Sequence, residues 1–389
     1  MRFAEVATTV LAAHRAGPED VPELVMRLAP ALGATELVIY LVDYEQVTLR
    51  PCAGTAVPDR APVTIDATVA GRAYTTGQLV EVPAGTGRRV WVPLVDGRDR
   101  RGVLEVVAPA PAYDPAPEEY ETVAALVAGI VAARWAYGDT FERTRRRLPM
   151  QLPAEILWNV LPPLTFASKA AAVSAILEPC YEVGGDAFDH AMDGDVLHVA
   201  MFDVVGHGIA ASALTSLAIS AYRNARRCGL DLVDTYRSID KWVHAQYPEG
   251  FATALLAELD TGTGEYARIS AGHPGEILLR DGRVVAELPA PTALPLGLGY
   301  LGDPMPRIER EALQPGDRLL LYTDGVIEAR TEEGDFFGFE RLADFIARAV
   351  ADGLPAPETM RRLVQAILAH QHERLQDDAS AALVEWRPA

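Results

Sequence analysis

The chain has 389 residues, of which 49% are hydrophobic and 23% charged, and carries a net charge of −19. That length exceeds one ordinary core and predicts two domains, while no window approaches the roughly 18 apolar residues of a membrane span. The acidity is uneven: 19 acidic and 16 basic residues up to Met150 leave 35 acidic and 19 basic beyond it. The C-terminal part therefore repels nucleic-acid phosphates and anionic membranes and favours cations or a basic partner face. Cys52, Cys180 and Cys228 are odd in number and widely spaced, which excludes a disulfide framework and a C-x-x-C metal site. The opening "MRFAEVATTVLAAHRAG" has no long apolar stretch leading to a small-residue cleavage site, so no secretion signal is read and cytoplasmic residence is expected.

Residues 1–136 read as a helix around Val21 to Leu32, then two hairpins with a helical stretch between them. The first hairpin is "ELVIYLVDYEQVTLRPCAG", where β-rich runs flank Asp43 and Tyr44. The second is "RRVWVPLVDGRDRRGVLEVVAP", with "DGRDRRG" as its turn. Between them, "APVTIDATVAGRAYTTGQLVEVP" places a short helix with Gly71 before another strand. This order resembles the GAF fold, a small sensory α/β domain built on an antiparallel sheet with flanking helices. The resemblance implies a small-molecule ligand of unknown identity. No His or Cys is placed as an attachment point, and Cys52 reads as a core residue.

From Pro117, Val123, Leu126, Val127, Ile130 and Val131 fall on one helical face. That face either covers the sheet of its own domain or pairs with its copy in a homodimer. Residues 137–164 read as a helical linker: "ERTRRR" at 142–147 is a solvated basic helix end, and Pro149, Pro153, Pro162 and Pro163 punctuate the passage. Such a connector is where a sensory domain could push on an effector.

From Thr165 to the end, strands and helices alternate without a βαβ rhythm. "AAAVSAILEPC" and "DVLHVAMFDV" are buried strands, followed by helices over Ala210–Arg226 and Leu232–Gln246. Hairpins are expected around Thr261 to Gly264 and around Asp281 and Gly282. Then come the strand "DRLLLYTDG", helices near Phe339–Val350 and Pro357–Glu373, and a last strand "SAALVEW". Strands at both ends with helix pairs between them predict an α/β (α+β) domain of two antiparallel sheets sandwiched by helices.

The acids of this domain sit at strand mouths beside chain-turning residues. Asp186 follows "GG", Asp203 precedes "VVGHG", Asp324 ends "RLLLYTDG", and Asp377 and Asp378 open the last strand. Acids at strand ends of one sandwich can converge on a single edge, where hard cations such as Mg²⁺ and Mn²⁺ take oxygen ligands. Without a metal they would repel one another and raise their own pKa values. A single Asp-Gly turn is an ordinary solvent feature; it is the recurrence that points to a cation.

In order along the chain, "EVGGDAFD", "DVVGHGIAASAL", "SAGHPGEILLR", "LPLGLG", "LYTDGVIEA" and "DDASAALV" resemble the SpoIIE-type bacterial members of the metal-dependent protein phosphatase 2C superfamily. The resemblance spans about residues 150–387 and includes the leader "LWNVLPPL". It implies an α-β-β-α sandwich over 165–389 that hydrolyses phosphoserine or phosphothreonine on a protein, using two Mn²⁺ or Mg²⁺ ions. It further implies that Asp203 bridges both metals, that the Val204 carbonyl joins the shell, and that Asp324 and Asp377 each bind one ion. Asp186 is implied as a ligand directly or through water, and Asp378 as a support. The implied phosphoprotein partner is an anti-sigma factor antagonist. His207 of "GHG" is a candidate proton donor to the leaving oxygen, or a buttress of the glycine turn. His273 of "AGHPG" reads as turn-stabilising, and Gly275 departs from the commoner "HPP", which leaves the shape of that loop open.

Other readings fit fewer residues. "GGDAF" resembles the diguanylate cyclase signature, but Ala187 stands where the metal-binding acid belongs. "GHGIAAS" lacks the lysine of a phosphate-binding loop. A catalytically silent module that binds a phosphoprotein without hydrolysing it is the alternative in another class.

Overall fold

The computed structural model describes residues 3–97, 99–110, 115–289, 293–302, 306–371 and 377–387. It comprises two compact units, Met1–Pro149 and Met150–Ala389. Among the described residues, no helix is long and apolar enough to cross a membrane.

The first unit runs α1 (Phe3–Ala13), α2 (Val21–Met26), β1 (Glu36–Val42), β2 (Thr48–Pro51), β3 (Val63–Thr64) and α3 (Val69–Thr76). It continues with β4 (Val80–Ala84), β5 (Gly87–Asp96), β6 (Asp99–Ala108), α4 (Pro117–Arg134) and α5 (Thr140–Arg145). Its antiparallel sheet has the order β3-β2-β1-β6-β5-β4. One face buries Leu37, Ile39, Val92 and Leu104 against α2 and α4; the other buries Tyr40, Trp91 and Val103 against Ala70, Ala73 and Tyr74 of α3. Val123, Val127, Ile130 and Val131 of α4 all lie in the first of these cores, so the apolar face of that helix is spent within its own unit.

Two expectations change here. The helix foreseen over Val21–Leu32 stops at Met26 and resumes as a 3-10 turn, Ala29–Leu32. Pro30 inside that stretch has no N–H to continue the α-helical ladder. The basic run at 142–147 is not simply solvated. The Arg145 guanidinium stacks over Tyr44 at 4.2 Å and donates to the Val42 carbonyl at 2.9 Å, and Arg147 pairs with Glu45 at 2.6 Å. The two units divide at Pro149, so residues 137–164 are shared between them: α5 touches β1 and β2 of the first unit.

The second unit begins with α6 (Leu152–Trp158), β7 (Thr165–Ala167), β8 (Ala171–Glu178), β9 (Ala187–Asp193), β10 (Val196–Val204), α7 (Ile209–Arg227) and α8 (Leu232–Gln246). Next come β11 (Ala252–Asp260), β12 (Glu265–Ala271), β13 (Ile277–Arg280), β14 (Arg283–Glu287), β15 (Glu309–Ala312) and β16 (Arg318–Tyr322). It closes with α9 (Asp324–Ile327), α10 (Phe339–Ala351), α11 (Ala356–His370) and β17 (Ala379–Trp386). Residues 372 and 373, expected to end the last helix, lie outside the described residues, as does residue 98 of the earlier hairpin turn.

The strands form two antiparallel sheets, one ordered β15-β12-β11-β10-β9 and the other β14-β13-β16-β17-β8-β7. Phe188, Met201, Leu255, Val173, Leu319 and Val384 fill the space between them. Phe202, Leu256 and Ile269 on the outer face of the first sheet pack on α7 and α8. Ile176, Leu320 and Leu383 on the outer face of the second pack on α10 and α11. The layers are therefore α-β-β-α, as the element order predicts. Strand β9, "AFDHAMD", carries too many polar residues to read as a buried strand. It is buried because partners satisfy them: Asp189 accepts from Arg223 and Arg226, and His190 meets the Pro163 carbonyl at 2.8 Å.

Candidate active site

Each sheet contributes acids to one shared edge. Asp186 directly precedes β9 and Asp203 is the next-to-last residue of β10, in the first sheet. Asp324 follows β16 by two residues, and Asp377 and Asp378 directly precede β17, in the second. Asp186 is buried, Asp203 and Asp378 are half-buried, and Asp324 and Asp377 reach the surface. Residues some 190 positions apart thus meet, as the Asp378 contacts with Gly184, Gly185 and Asp186 show.

The electrostatics follow from burying like charges together. Burial, then the charges of Asp203 and Asp378, push the Asp186 carboxyl well above the usual range. Burial, then Asp324, Asp377 and Asp378, push Asp203 up to about 7. Asp324 is raised by partial desolvation and then by Glu328 and Asp377, and Asp378 by its own desolvation. No arginine or lysine figures among the principal influences on Asp186, Asp203, Asp324 or Asp378.

Hydroxyls and backbone amides hold the acids in place. Asp378 Oδ2 accepts the N–H groups of Gly184, Gly185 and Asp186 at 3.0, 2.7 and 3.3 Å. Thr323 Oγ1 donates to Asp186 Oδ2 at 2.6 Å and accepts the Ser380 N–H at 3.0 Å, joining the two sheets. Thr215 of α7 donates to the Gly185 carbonyl at 2.7 Å. The Val204 carbonyl oxygen stands 2.7 Å from where a Cβ on Gly185 would lie, so only glycine lets that oxygen approach the loop. Asp240 on α8 accepts the Gly297 and Gly299 N–H groups at 2.7 and 3.0 Å, anchoring the "LPLGLG" loop.

The histidines separate in role. His273 is buried, its Nδ1 lies 2.9 Å from Thr253 Oγ1, and its carbonyl accepts from Ser270 Oγ at 2.9 Å. Burial lowers its pKa to about 3, so it is neutral near pH 7 and unsuited to give up a proton there. It holds Thr253, the partner of Asp203 across β10 and β11. His207 is exposed on the loop after β10, and among the described residues no hydrogen bond or ion pair holds its ring. Gly275 lies against the Leu288 carbonyl, where a Cβ would come within 2.4 Å; the departure from proline fits the loop. A cleft of about 530 Å³ opens beside the acids, lined by Asp203, Thr253, His273, Glu287, Leu288 and Asp324 among others.

The acids, the Val204 carbonyl and the surface opening suit a hard divalent cation, which wants anionic and carbonyl oxygens with room for water. Their uncompensated mutual repulsion suits it too. Among the described residues, no three His, Cys, Asp or Glu side chains are grouped tightly enough to hold an ion as they stand, so binding requires their carboxyl groups to close on it. Sequence reasoning found the acids but missed Thr253, Thr323 and Ser380. Their signal is a hydroxyl embedded in an apolar strand, in "FATALL", "LLLYTD" and "ASAALV".

A family model described as stage II sporulation protein E (SpoIIE) matches residues 193–387, half of the chain. The chain belongs to the SpoIIE family. The SpoIIE match contains Asp203, His207, Asp324, Asp377 and Asp378 and begins after Asp186. Phosphoserine phosphatase RsbU of Bacillus subtilis (strain 168) is 25% identical over 231 residues, covering 59% of this chain and 67% of RsbU. Phosphoserine phosphatase RsbP of the same organism is 25% identical over 212 residues, which is 52% of this chain but only 49% of RsbP. The SiaA-PP2C domain of Pseudomonas aeruginosa superposes with a TM-score of 0.50 at 23% identity, over 60% of this chain and 93% of that domain. The α-β-β-α unit thus belongs to the SpoIIE family and shares the fold of the SiaA-PP2C domain.

Proposed function

We propose that the protein is a metal-dependent serine/threonine phosphatase that hydrolyses phosphoserine or phosphothreonine on a regulatory protein. The observation that carries this reading is the meeting of acids from both sheets at one edge, with no cationic side chain among the principal influences on them. Two Mn²⁺ or Mg²⁺ ions, when bound, supply an activated water and neutralise charge on the phosphoryl group. Asp203, Asp324, Asp377, Asp186 and the Val204 carbonyl are the groups that would hold them. Thr323 and Asp378 orient the Gly184–Asp186 loop. His207, exposed on its loop, is the candidate donor of a proton to the leaving serine oxygen; His273 stays neutral and positions Thr253. Turnover of p-nitrophenyl phosphate that needs Mn²⁺ and is lost in Asp203→Asn is the expected result. Mn²⁺ binding without turnover would instead favour a silent phosphoprotein-binding module.

The resemblance to SpoIIE-type phosphatases supports an anti-sigma factor antagonist phosphorylated on serine as the substrate. An enzyme active on generic phosphopeptides that leaves a panel of such antagonists untouched would overturn that assignment. The first unit is read as a GAF-like sensor that controls turnover. Equal rates for the full chain and for residues 150–389, under every effector tried, would count against control.

A further inference from the structure

The cleft beside Asp203 and Asp324 has a second acidic part. Gly272, His273, Pro274 and Gly275 form one stretch of its lining, and Glu287, Leu288 and Pro289, at the end of β14, form another. Among the described residues, no lysine or arginine lines it. Glu287 is exposed, and among the described residues no ion pair or hydrogen bond occupies its carboxylate. Its backbone is fixed all the same. Glu287 pairs with Ile277 across the β13–β14 hairpin, and the Leu288 N–H donates to the Glu276 carbonyl at 2.8 Å. Its carboxylate lies over Gly275, with Oε1 3.6 Å from where a Cβ there would stand.

Elsewhere in this unit, several acids that hold the fold have arginine partners, Asp189 with Arg223, Asp317 with Arg280 and Glu276 with Arg268, and others, such as Asp240 and Asp378, accept backbone N–H groups. Among the described residues Glu287 has neither kind of partner. Divalent cations at the sheet edge would compensate Asp203 and Asp324, but Glu287 stands on the other stretch of the lining, away from them. A phosphoryl dianion entering alone is repelled there; one that brings a cation is attracted. A cleft of about 530 Å³ is in the range that holds a small ligand, enough for a phosphoserine side chain with part of a neighbouring residue.

We propose that Glu287 determines specificity, and that the phosphorylated segment this cleft accepts carries an arginine or lysine beside its phosphoserine, with the cation seated against Glu287. The inference rests on the phosphatase reading above and names the chemistry of its substrate. It is tested on the full chain with Mn²⁺ and three substrates: two phosphoserine peptides differing only in arginine or glutamate beside the phosphoserine, and p-nitrophenyl phosphate. The wild type is expected to favour the arginine peptide by about tenfold in kcat/KM, mainly through KM. Glu287→Gln should shrink that preference to about twofold and Glu287→Lys should invert it. KM for p-nitrophenyl phosphate, a dianion with no cation of its own, should fall in Glu287→Lys. A wild type without the preference, or a preference unmoved in Glu287→Lys, overturns the inference while turnover of p-nitrophenyl phosphate keeps the phosphatase reading standing. If no substrate turns over, that reading fails and this one falls with it.

Discussion

Asp186 and Asp189 lie three residues apart at the start of one strand, both buried, and the protein treats them in opposite ways. Asp189 is gripped by Arg223 at 2.6 Å and by Arg226 at 3.4 Å. Asp186 has only hydroxyls beside it, with Thr323 donating at 2.6 Å and Ser380 close by, and otherwise faces Asp203 and Asp378. The unit can place arginine beside a buried acid and does so where the acid ties α7 to β9. It withholds arginine at the sheet edge. Burying acids together without compensation costs several kcal/mol in general, and such clusters are retained where a cation is to be bound.

That contrast sets opposite signs for matched substitutions. The largest effect is on chemistry: Asp203→Asn should cut Mn²⁺-dependent turnover about 10²–10³-fold or more, the scale of losing one preorganised electrostatic contact. The same change should raise the unfolding midpoint of the metal-free protein, because a repelling charge is gone. A lowered midpoint in urea unfolding would break the comparison. Next, Arg223→Met leaves Asp189 with Arg226 alone and should destabilise the fold by about 3 kcal/mol; a loss below about 0.5 kcal/mol would show that Asp189 needs no pair. Thr323→Val removes the hydroxyl that donates to Asp186 at 2.6 Å and should cost about 1–3 kcal/mol, read from the same unfolding curves.

The pH dependence sharpens the contrast further. The Asp203 carboxyl is raised to about 7 from an ordinary value of 3.8, so the folded, metal-free protein binds this proton more tightly than the unfolded chain does. Its contribution to stability is complete below pH of about 4 and is lost as pH rises through about 7. Metal-free protein should therefore lose thermal stability between pH 5 and pH 7.5 on this account, and added Mn²⁺ should stabilise it more at the higher pH. An Mn²⁺ effect equal at both values would argue that the ion does not displace protons from these acids.

Much of this was legible in the sequence, for physical reasons that also mark its limits. Continuous apolar runs ended by aspartate mark β10 and β16, which are buried on both faces, and helical periodicity marks α7, α8 and α10, which bury one. Strand β9 escaped because its interior Asp189 and His190 are satisfied only by partners at Arg223 and Pro163, which no local pattern reveals. The acids of the edge could be found one by one, each beside its glycine turn. The hydroxyls that orient them could not, since Thr323 earns its place through Asp186 and Ser380, 137 and 57 residues away. The second acid of the "DD" pair was read as a support, and in the fold it accepts three consecutive amides of the opposite sheet's loop. The basic run at 142–147 misled because stacking on Tyr44 depends on a hairpin about a hundred residues earlier.

The central claim is that Asp186, Asp203, Asp324 and Asp377 form one cation site. Calorimetric titration of the metal-free full chain with Mn²⁺ near pH 6.5, in two buffers of different ionisation enthalpy, tests it most directly. The account predicts saturable binding that releases protons, with affinity and proton release both strongly reduced in Asp203→Asn. Binding of equal affinity in wild type and Asp203→Asn, or no saturable binding at all, would contradict it.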